Sequence, residues 1–210
     1  MISDECFSLV GTTFNFEPYG EIALSLTGTY QPRNAAVAIT ALETLHNKGY
    51  KISNDDIIAG LKSVKWKGRF EVLGTHPVFI LDGAHNPQGT EALADGLKVY
   101  FKDCKIVFVF GVSADKDVDT MIKPLLSIAD SFITIRADDP RAMDEKTLAE
   151  NLKAHKMNVT AFSSINDGVK EAVKRAGEDG IVCALGSLFL SADVREAYNN
   201  LHQSENNCAI

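Results

Sequence analysis

Two five-residue runs, Ile106–Phe110 and Ile181–Leu185, contain nothing but apolar residues. A strand with one wet face alternates apolar and polar positions, whereas a run that is apolar throughout is covered on both faces. Such strands belong to parallel sheets enclosed by helices, and the surrounding pattern agrees. From residue 69 onward short β-like runs alternate with helical stripes. The strands fall at 78–81, 106–110, 131–135, 158–162 and 181–185, and the helices at 87–101, 117–129, 145–155, 165–176 and 188–200. This order predicts an α/β domain with a mostly parallel sheet and helices on both faces. Phe70–Leu73 and Val78–Leu81 flank Gly74-Thr75-His76-Pro77 and read as a hairpin, which adds an antiparallel edge. Pro124 lies inside the pattern 117–129 and is expected to kink or split that helix.

The first 64 residues have a different texture. Phe7–Val10 and Ile22–Leu26 are β-like, with Gly11, Pro18, Gly20 and Gly28 as punctuation. Ala35, Ala38, Ile39, Leu42 and Leu45 share one helical stripe over 33–48, and Gly49 is a good stop. Ser53-Asn54-Asp55-Asp56 has the S-x-x-D capping spacing and opens a shorter helix that buries Ile57, Ile58 and Leu61. Two strands and two helices in about 60 residues bury too little surface to be comfortable alone. Residues 1–64 are therefore expected to be the tail of a larger domain that begins upstream, and residues 65–210 a second domain.

Composition narrows the function classes. The hydrophobic content of 45% permits a sizeable core. The formal net charge of -7 argues against nucleic acid or an anionic membrane as partner, because both need clustered Lys and Arg. No apolar run approaches the roughly 20 residues that span a bilayer. The acidic start, Met1-Ile2-Ser3-Asp4-Glu5, is unlike a signal peptide, and cytoplasm is the expected compartment. Cys6, Cys104, Cys183 and Cys208 form no C-x-x-C pair, so neither zinc nor a disulfide framework is expected, and Cys104 and Cys183 read as buried thiols. His46, His76, His155 and His202 show no metal-ligand spacing.

Open parallel sheets place function at the carboxyl ends of their strands. Asp82-Gly83-Ala84-His85-Asn86-Pro87 follows the strand 78–81, with Asn86 suited to a helix cap and Pro87 to the first helical position. Free backbone N–H groups there favour an anion. Asp82 can accept from a ribose or an amine, and His85 can donate to a phosphate or carboxylate. The same residue types also make ordinary turns, so both readings stay open. In Trp66-Lys67-Gly68-Arg69-Phe70-Glu71, Arg69 can fork onto phosphate oxygens, or it can form a surface salt bridge or pack on Trp66. Gly186 permits a sharp turn after strand 181–185, and Ser187 is either a ligand donor or a helix cap. Asp115-Lys116-Asp117 and Asp138-Asp139-Pro140-Arg141 also follow strands, but charged loops of this kind are usually just solvated. The G-x-S-x-G elbow of serine hydrolases and the G-x-G-x-x-G dinucleotide fingerprint are both absent.

Taken in order, these blocks resemble the folylpolyglutamate synthases, including the bifunctional dihydrofolate synthase form, within the wider Mur ligase superfamily. The likeness runs through Leu26-Thr27-Gly28-Thr29-Tyr30-Gln31 with Asn34-Ala35-Ala36, Trp66–Glu71, Leu81–Pro87, Asp115-Lys116-Asp117 and Gly186-Ser187-Leu188-Phe189 with Val194-Arg195. It implies a Rossmann-like sheet of the Mur ligase carboxy-terminal type, preceded by the tail of a central α/β ATPase domain. It implies ATP-dependent ligation of L-glutamate to a pteroate or folate carboxylate through an acyl phosphate. Asn34, Arg69 and Asp82 would contact ATP, the last two across an interdomain cleft. His85, as the catalytic residue, and Ser187 would serve the glutamate side. The family's phosphate-binding G-x-x-x-x-G-K-[ST] loop is not in the sequence, and its Mg²⁺ ligands are expected in the same upstream part. The chain thus reads as the part without that loop, inactive alone, with its own amino-terminal half as a possible partner beside the small-molecule substrates. Two other readings compete: a stand-alone nucleotide- or amino-acid-binding module, and a fragment of a murein-type ligase.

Overall fold

The computed structural model describes residues 1–208. The chain falls into two compact units, Met1–Lys67 and the segment from Gly68 onward.

In the first unit, β1 (Ile2–Ser8), β2 (Gly11–Phe16) and β3 (Gly20–Leu24) form an antiparallel meander in that order. The sequence reading placed two strands here, at 7–10 and 22–26. Leu9 and Val10 instead make the turn, and β2 is an additional strand. Its inward alternation begins on Thr12 rather than on an aliphatic residue. Thr12 is nonetheless 2% exposed, because its hydroxyl donates to the Leu26 carbonyl at 3.0 Å and so is not left unsatisfied. Two helices, α1 (Gln31–Asn47) and α2 (Asn54–Ser63), cover the sheet. Phe14, Ile22 and Leu24 from the strands meet Ala35, Ile39 and Ile57 from the helices in one apolar cluster. The capping box anticipated at Ser53 is formed: the Asp56 N–H donates to the Ser53 hydroxyl at 3.1 Å, and the Ser53 N–H donates to the Asp56 carboxylate at 2.9 Å.

The second unit is built on a six-stranded sheet. Its strands are β4 (Glu71–Thr75), β5 (Val78–Leu81), β6 (Ile106–Phe110), β7 (Ala129–Thr134), β8 (Val159–Ala161) and β9 (Ile181–Leu185), arranged in the order β4-β5-β9-β6-β7-β8. The hairpin partner β4 is antiparallel at one edge, and all other pairs are parallel. The last strand in sequence thus sits in the middle, between β5 and β6. This explains why β6 and β9 are apolar at every position, for each has a neighbour on both sides and helices above and below.

Alternate side chains serve the two faces. Phe79, Leu81, Val107, Val109, Val182 and Ala184 pack towards α6 (Ile165–Ala176) and α7 (Leu188–Cys208). Ile80, Phe108 and Cys183, one position out of step, are fully buried on the opposite side. There α3 (Pro87–Tyr100), α4 (Val118–Leu126) and α5 (Glu145–Lys153) adjoin one another.

Three local expectations change. Pro124 lies within the last turn of α4, which stops at Leu126 rather than 129. A proline removes one helical N–H and crowds the preceding turn, so an early end is the least costly accommodation. The final helix runs past 200 to Cys208, since neither Gly nor Pro follows Gly186 to stop it. Cys104 is exposed, not buried, because β6 begins two residues later and leaves it in the loop after α3. The side chains of His202 and Cys208 lie outside the described residues.

Candidate functional site

The carboxyl ends of four adjacent parallel strands, β5, β9, β6 and β7, deliver their following loops to one edge of the second unit. Here the order of connection reverses, since the chain passes from β5 to β6 and only later fills the gap with β9. A sheet of this kind has its natural crevice at such a switch.

A cleft of about 390 Å³ lies there. His85 comes from the loop after β5, Ser113 and Lys116 from the loop after β6, Arg141 from the loop after β7, and Ser187 and Phe189 from the start of α7 after β9. The structure thus brings together His85 and Ser187, the two residues assigned to the glutamate side. It adds two cations, Lys116 and Arg141, that sequence reasoning had set aside as solvated loop charges.

Each member is held by local chemistry. The His85 Nδ1 lies 2.8 Å from the Gly83 carbonyl. A carbonyl only accepts, so Nδ1 is the donor here, and in the tautomer this bond selects Nε2 is the acceptor. Asn86 and Pro87 take the capping roles expected of them: the Asn86 side chain accepts from the Gly89 N–H at 2.7 Å, and Pro87 opens α3. The Ser187 hydroxyl accepts from the Phe189 N–H at 3.2 Å, which leaves its own O–H free to donate. The Arg141 guanidinium forks onto Asp139, with Nε–Oδ1 3.2 Å and Nη2–Oδ2 3.1 Å, and stands 5.2 Å from the Phe189 ring centroid. Lys116 pairs with Asp115 at 3.0 Å.

Arg69 and Asp82 form a second constellation in the same unit. Asp82 is 4% exposed, and its carboxylate accepts from the Phe70 N–H at 2.7 Å and the Ala84 N–H at 2.8 Å. The Gly83 N–H donates to the Gly68 carbonyl at 2.8 Å, so the 68–70 turn is clamped to the loop after β5. Phe70 is driven into a left-handed conformation (φ 45°) and is fully buried. Glu71 accepts from the Gly68 N–H at 2.6 Å and takes a forked ion pair from Arg195 of α7. Arg69 is carried by this rigid turn, and its guanidinium has no hydrogen bond or ion pair among the described residues. Asn34 belongs to the first unit, on α1, where its amide donates to the Gln31 side chain at 3.1 Å beside an apolar hollow of about 230 Å³.

Among the described residues no group of three or more His, Cys, Asp or Glu side chains converges to hold a metal, and no helix is long and apolar enough to cross a membrane. His155 is tied to Asp119 at 2.9 Å. Cys183, fully buried in β9, has its thiol pushed well up by burial, with the Asp82 charge as a lesser cause.

The loop carboxylates are displaced the other way. Hydrogen bonds from Arg141 lower the pKa of Asp139, those from Thr120 lower Asp117, and those led by the Thr147 N–H lower Asp144. A depressed folded pKa adds stability that is complete above the unfolded value and is lost as pH falls through the folded one. The thermal midpoint should therefore be level from about pH 7 to pH 5 and should fall below about pH 4. A midpoint unchanged down to about pH 3 would contradict this assignment.

A parallel sheet flanked by helices, with a histidine, a serine and two cations gathered at its topological switch, is an α/β unit of doubly wound type. Residues 68–188 match the family described as Mur ligase, glutamate ligase domain. The chain belongs to the Mur ligase family and carries that domain. It is 35% identical over 192 residues to the dihydrofolate synthase/folylpolyglutamate synthase of Bacillus subtilis, covering 89% of this chain and 44% of that protein. It also resembles the structure of Mycobacterium tuberculosis folylpolyglutamate synthase complexed with ADP and AMPPCP, with a TM-score of 0.78 and 27% identity over 95% of this chain and 47% of that one. A third likeness is to the bifunctional folylpolyglutamate synthase/dihydrofolate synthase of Yersinia pestis complexed with AMPPNP and Mn ion, with a TM-score of 0.70 and 26% identity over 93% and 45% of the two chains. The chain spans about half the length of the relatives it matches.

Proposed function

We propose that this chain supplies the glutamate-binding part of an ATP-dependent ligase that joins L-glutamate to a pteroate or folate carboxylate. The observation that carries the reading is the cleft in which His85 and Ser187 meet Lys116 and Arg141. Glutamate brings two carboxylates and one ammonium, and the cleft offers two cations, a hydroxyl donor and an imidazole acceptor.

In this reading Arg141 and Lys116 receive the carboxylates. Asp139 and Phe189 fix the plane of the Arg141 fork and leave its remaining N–H edge for the ligand. Ser187 donates its O–H, and His85 Nε2 accepts a proton from the ammonium. The freed amine then attacks the acyl phosphate carbon and the C–N bond forms; the C–O bond to phosphate breaks with its electron pair leaving on phosphate, which carries off the second proton lost by nitrogen. ATP makes the acyl phosphate. Arg69, on its clamped turn, is assigned with Asp82 to the nucleotide, and Asn34 of the first unit keeps the nucleotide role that the family likeness implies. Arg69 suits that role as a cation with no carboxylate paired to it among the described residues. Magnesium, which would neutralise the phosphates, has no donor set among the described residues, and no step of this chain is assigned to it.

A titration of the chain with carbon-13-labelled L-glutamate, followed by NMR, tests the site. Saturable binding is expected, weakened about tenfold or more by Arg141→Ala and by Ser187→Ala, since each removes a hydrogen bond to a charged group. Binding by both variants as tight as by the unaltered chain would overturn the assignment.

A further inference from the structure

Glutamate carries a positive charge as well as two negative ones, and a cleft that holds Lys116 and Arg141 repels an ammonium unless an anion stands beside them. Asp115 is the one carboxylate among the described residues that line this cleft. Its side chain is 67% exposed, and its Oδ2 accepts from the Lys116 Nζ at 3.0 Å. A carboxylate has about four accepting positions, so the bond from Lys116 leaves room for a ligand.

The backbone fixes where that carboxylate stands. The loops after β6 and β7 are stitched together by an antiparallel bridge between Ser113 and Ala142. On one side of the bridge the Ala114 N–H donates to the Arg141 carbonyl at 2.8 Å, and on the other the Met143 N–H donates to the Val112 carbonyl at 2.8 Å. Asp115 therefore follows directly on the residue bonded to Arg141, and the two loops carry one acid and two cations to the cleft as a unit. The hydrogen bond from Lys116, with the Arg141 charge as a lesser cause, holds the Asp115 carboxyl below its ordinary value, so it is ionised at neutral pH.

We infer that Asp115 binds the ligand's ammonium and determines specificity in this cleft, selecting α-amino dicarboxylic acids over dicarboxylic acids of the same length that lack the amino group. The inference rests on the reading of the cleft as a glutamate site and adds the group that recognises the third charge. Arg141 and Lys116 attract glutamate and glutarate alike, because both acids present two carboxylates at the same spacing. Only glutamate has a cation to set against Asp115. Glutarate brings its negative charge up to that carboxylate with nothing to offset it.

Titration of the chain with carbon-13-labelled L-glutamate and with labelled glutarate, followed by NMR, tests this role. The unaltered chain is expected to bind L-glutamate about fivefold or more tightly than glutarate. Asp115→Asn, a change at an exposed side chain, should weaken L-glutamate about fivefold or more and leave glutarate equal or tighter, so that the preference disappears. Glu150→Gln, which removes an exposed carboxylate of the same unit outside the cleft, should keep the preference. No preference in the unaltered chain, an unchanged preference in Asp115→Asn, or an equal loss for both acids in that variant would overturn the inference while the glutamate reading stands. An unaltered chain that binds neither acid would overturn that reading, and the inference with it.

Discussion

Gly186→Ala should cost the second unit about 3 kcal/mol or more, the sum of a left-handed backbone forced on alanine and a steric overlap. Gly186 has φ +114°, and a Cβ there would lie 2.3 Å from the Gly111 carbonyl oxygen. That oxygen is backbone at the end of β6 and cannot swing aside. The close approach exists because β9 is inserted between β5 and β6, so the chain leaving β9 must turn hard against the exit of β6 before α7 begins. The same turn presents Ser187 to the cleft. Gly177→Ala is the control, for it has φ +67° but nothing within 4 Å of the added methyl, and it should lose only about 1 kcal/mol. Urea unfolding of both variants gives the comparison. Equal losses would mean that the β6–β9 approach imposes nothing on the turn.

Asp82→Ala should have an effect of similar size, about 3 kcal/mol, because it strands two buried N–H groups, those of Phe70 and Ala84, without an acceptor. Asp82→Asn does not rescue it fully, since an amide has one accepting oxygen and would turn its NH₂ towards the other N–H. The loss should be local as well as global. Phe70 keeps its strained φ of 45° only while its N–H is held, so amide exchange at Phe70 should accelerate in the alanine variant even under conditions where the sheet remains folded. Arg69, one residue earlier, would then lose its fixed position. Unchanged exchange at Phe70 would show that Asp82 does not organise this turn.

The parts of the fold that were legible in the sequence are those where one physical signal dominates. β5, β6 and β9 are continuous apolar runs enclosed on both faces, and their limits at 78–81, 106–110 and 181–185 match the strands formed. The capping box at Ser53 and the Asn86-Pro87 helix start were equally plain, because they depend on neighbouring residues alone. β2 was missed because its first inward residue is a threonine, whose burial depends on an acceptor at Leu26 that lies beyond the next strand. Cys104 was misread because it lies in the loop, with Lys105 between it and the buried strand. The cleft shows the same division. His85 and Ser187 stood out on local grounds and through family likeness, whereas Lys116, Arg141 and Phe189 sit in three segments joined only by the strand order. Once β9 is known to lie between β5 and β6, the loops after β5, β9, β6 and β7 must be neighbours, and two charged loops become candidates for one site. Nothing local to Asp139-Pro140-Arg141 announces that position.

The most direct test of the central claim is a ligation assay read by mass spectrometry. The chain would be combined with the separately expressed part of the Bacillus subtilis relative that it does not cover, and supplied with ATP, magnesium, L-glutamate and a mixture of pteroate, folate and nucleotide-linked muramyl peptide acceptors. The account predicts a glutamyl adduct on a pteroate or folate acceptor, dependent on this chain and lost with His85→Ala. Extension of the muramyl peptide and of no folate, or an adduct formed as fast with His85→Ala as with His85 intact, would contradict it.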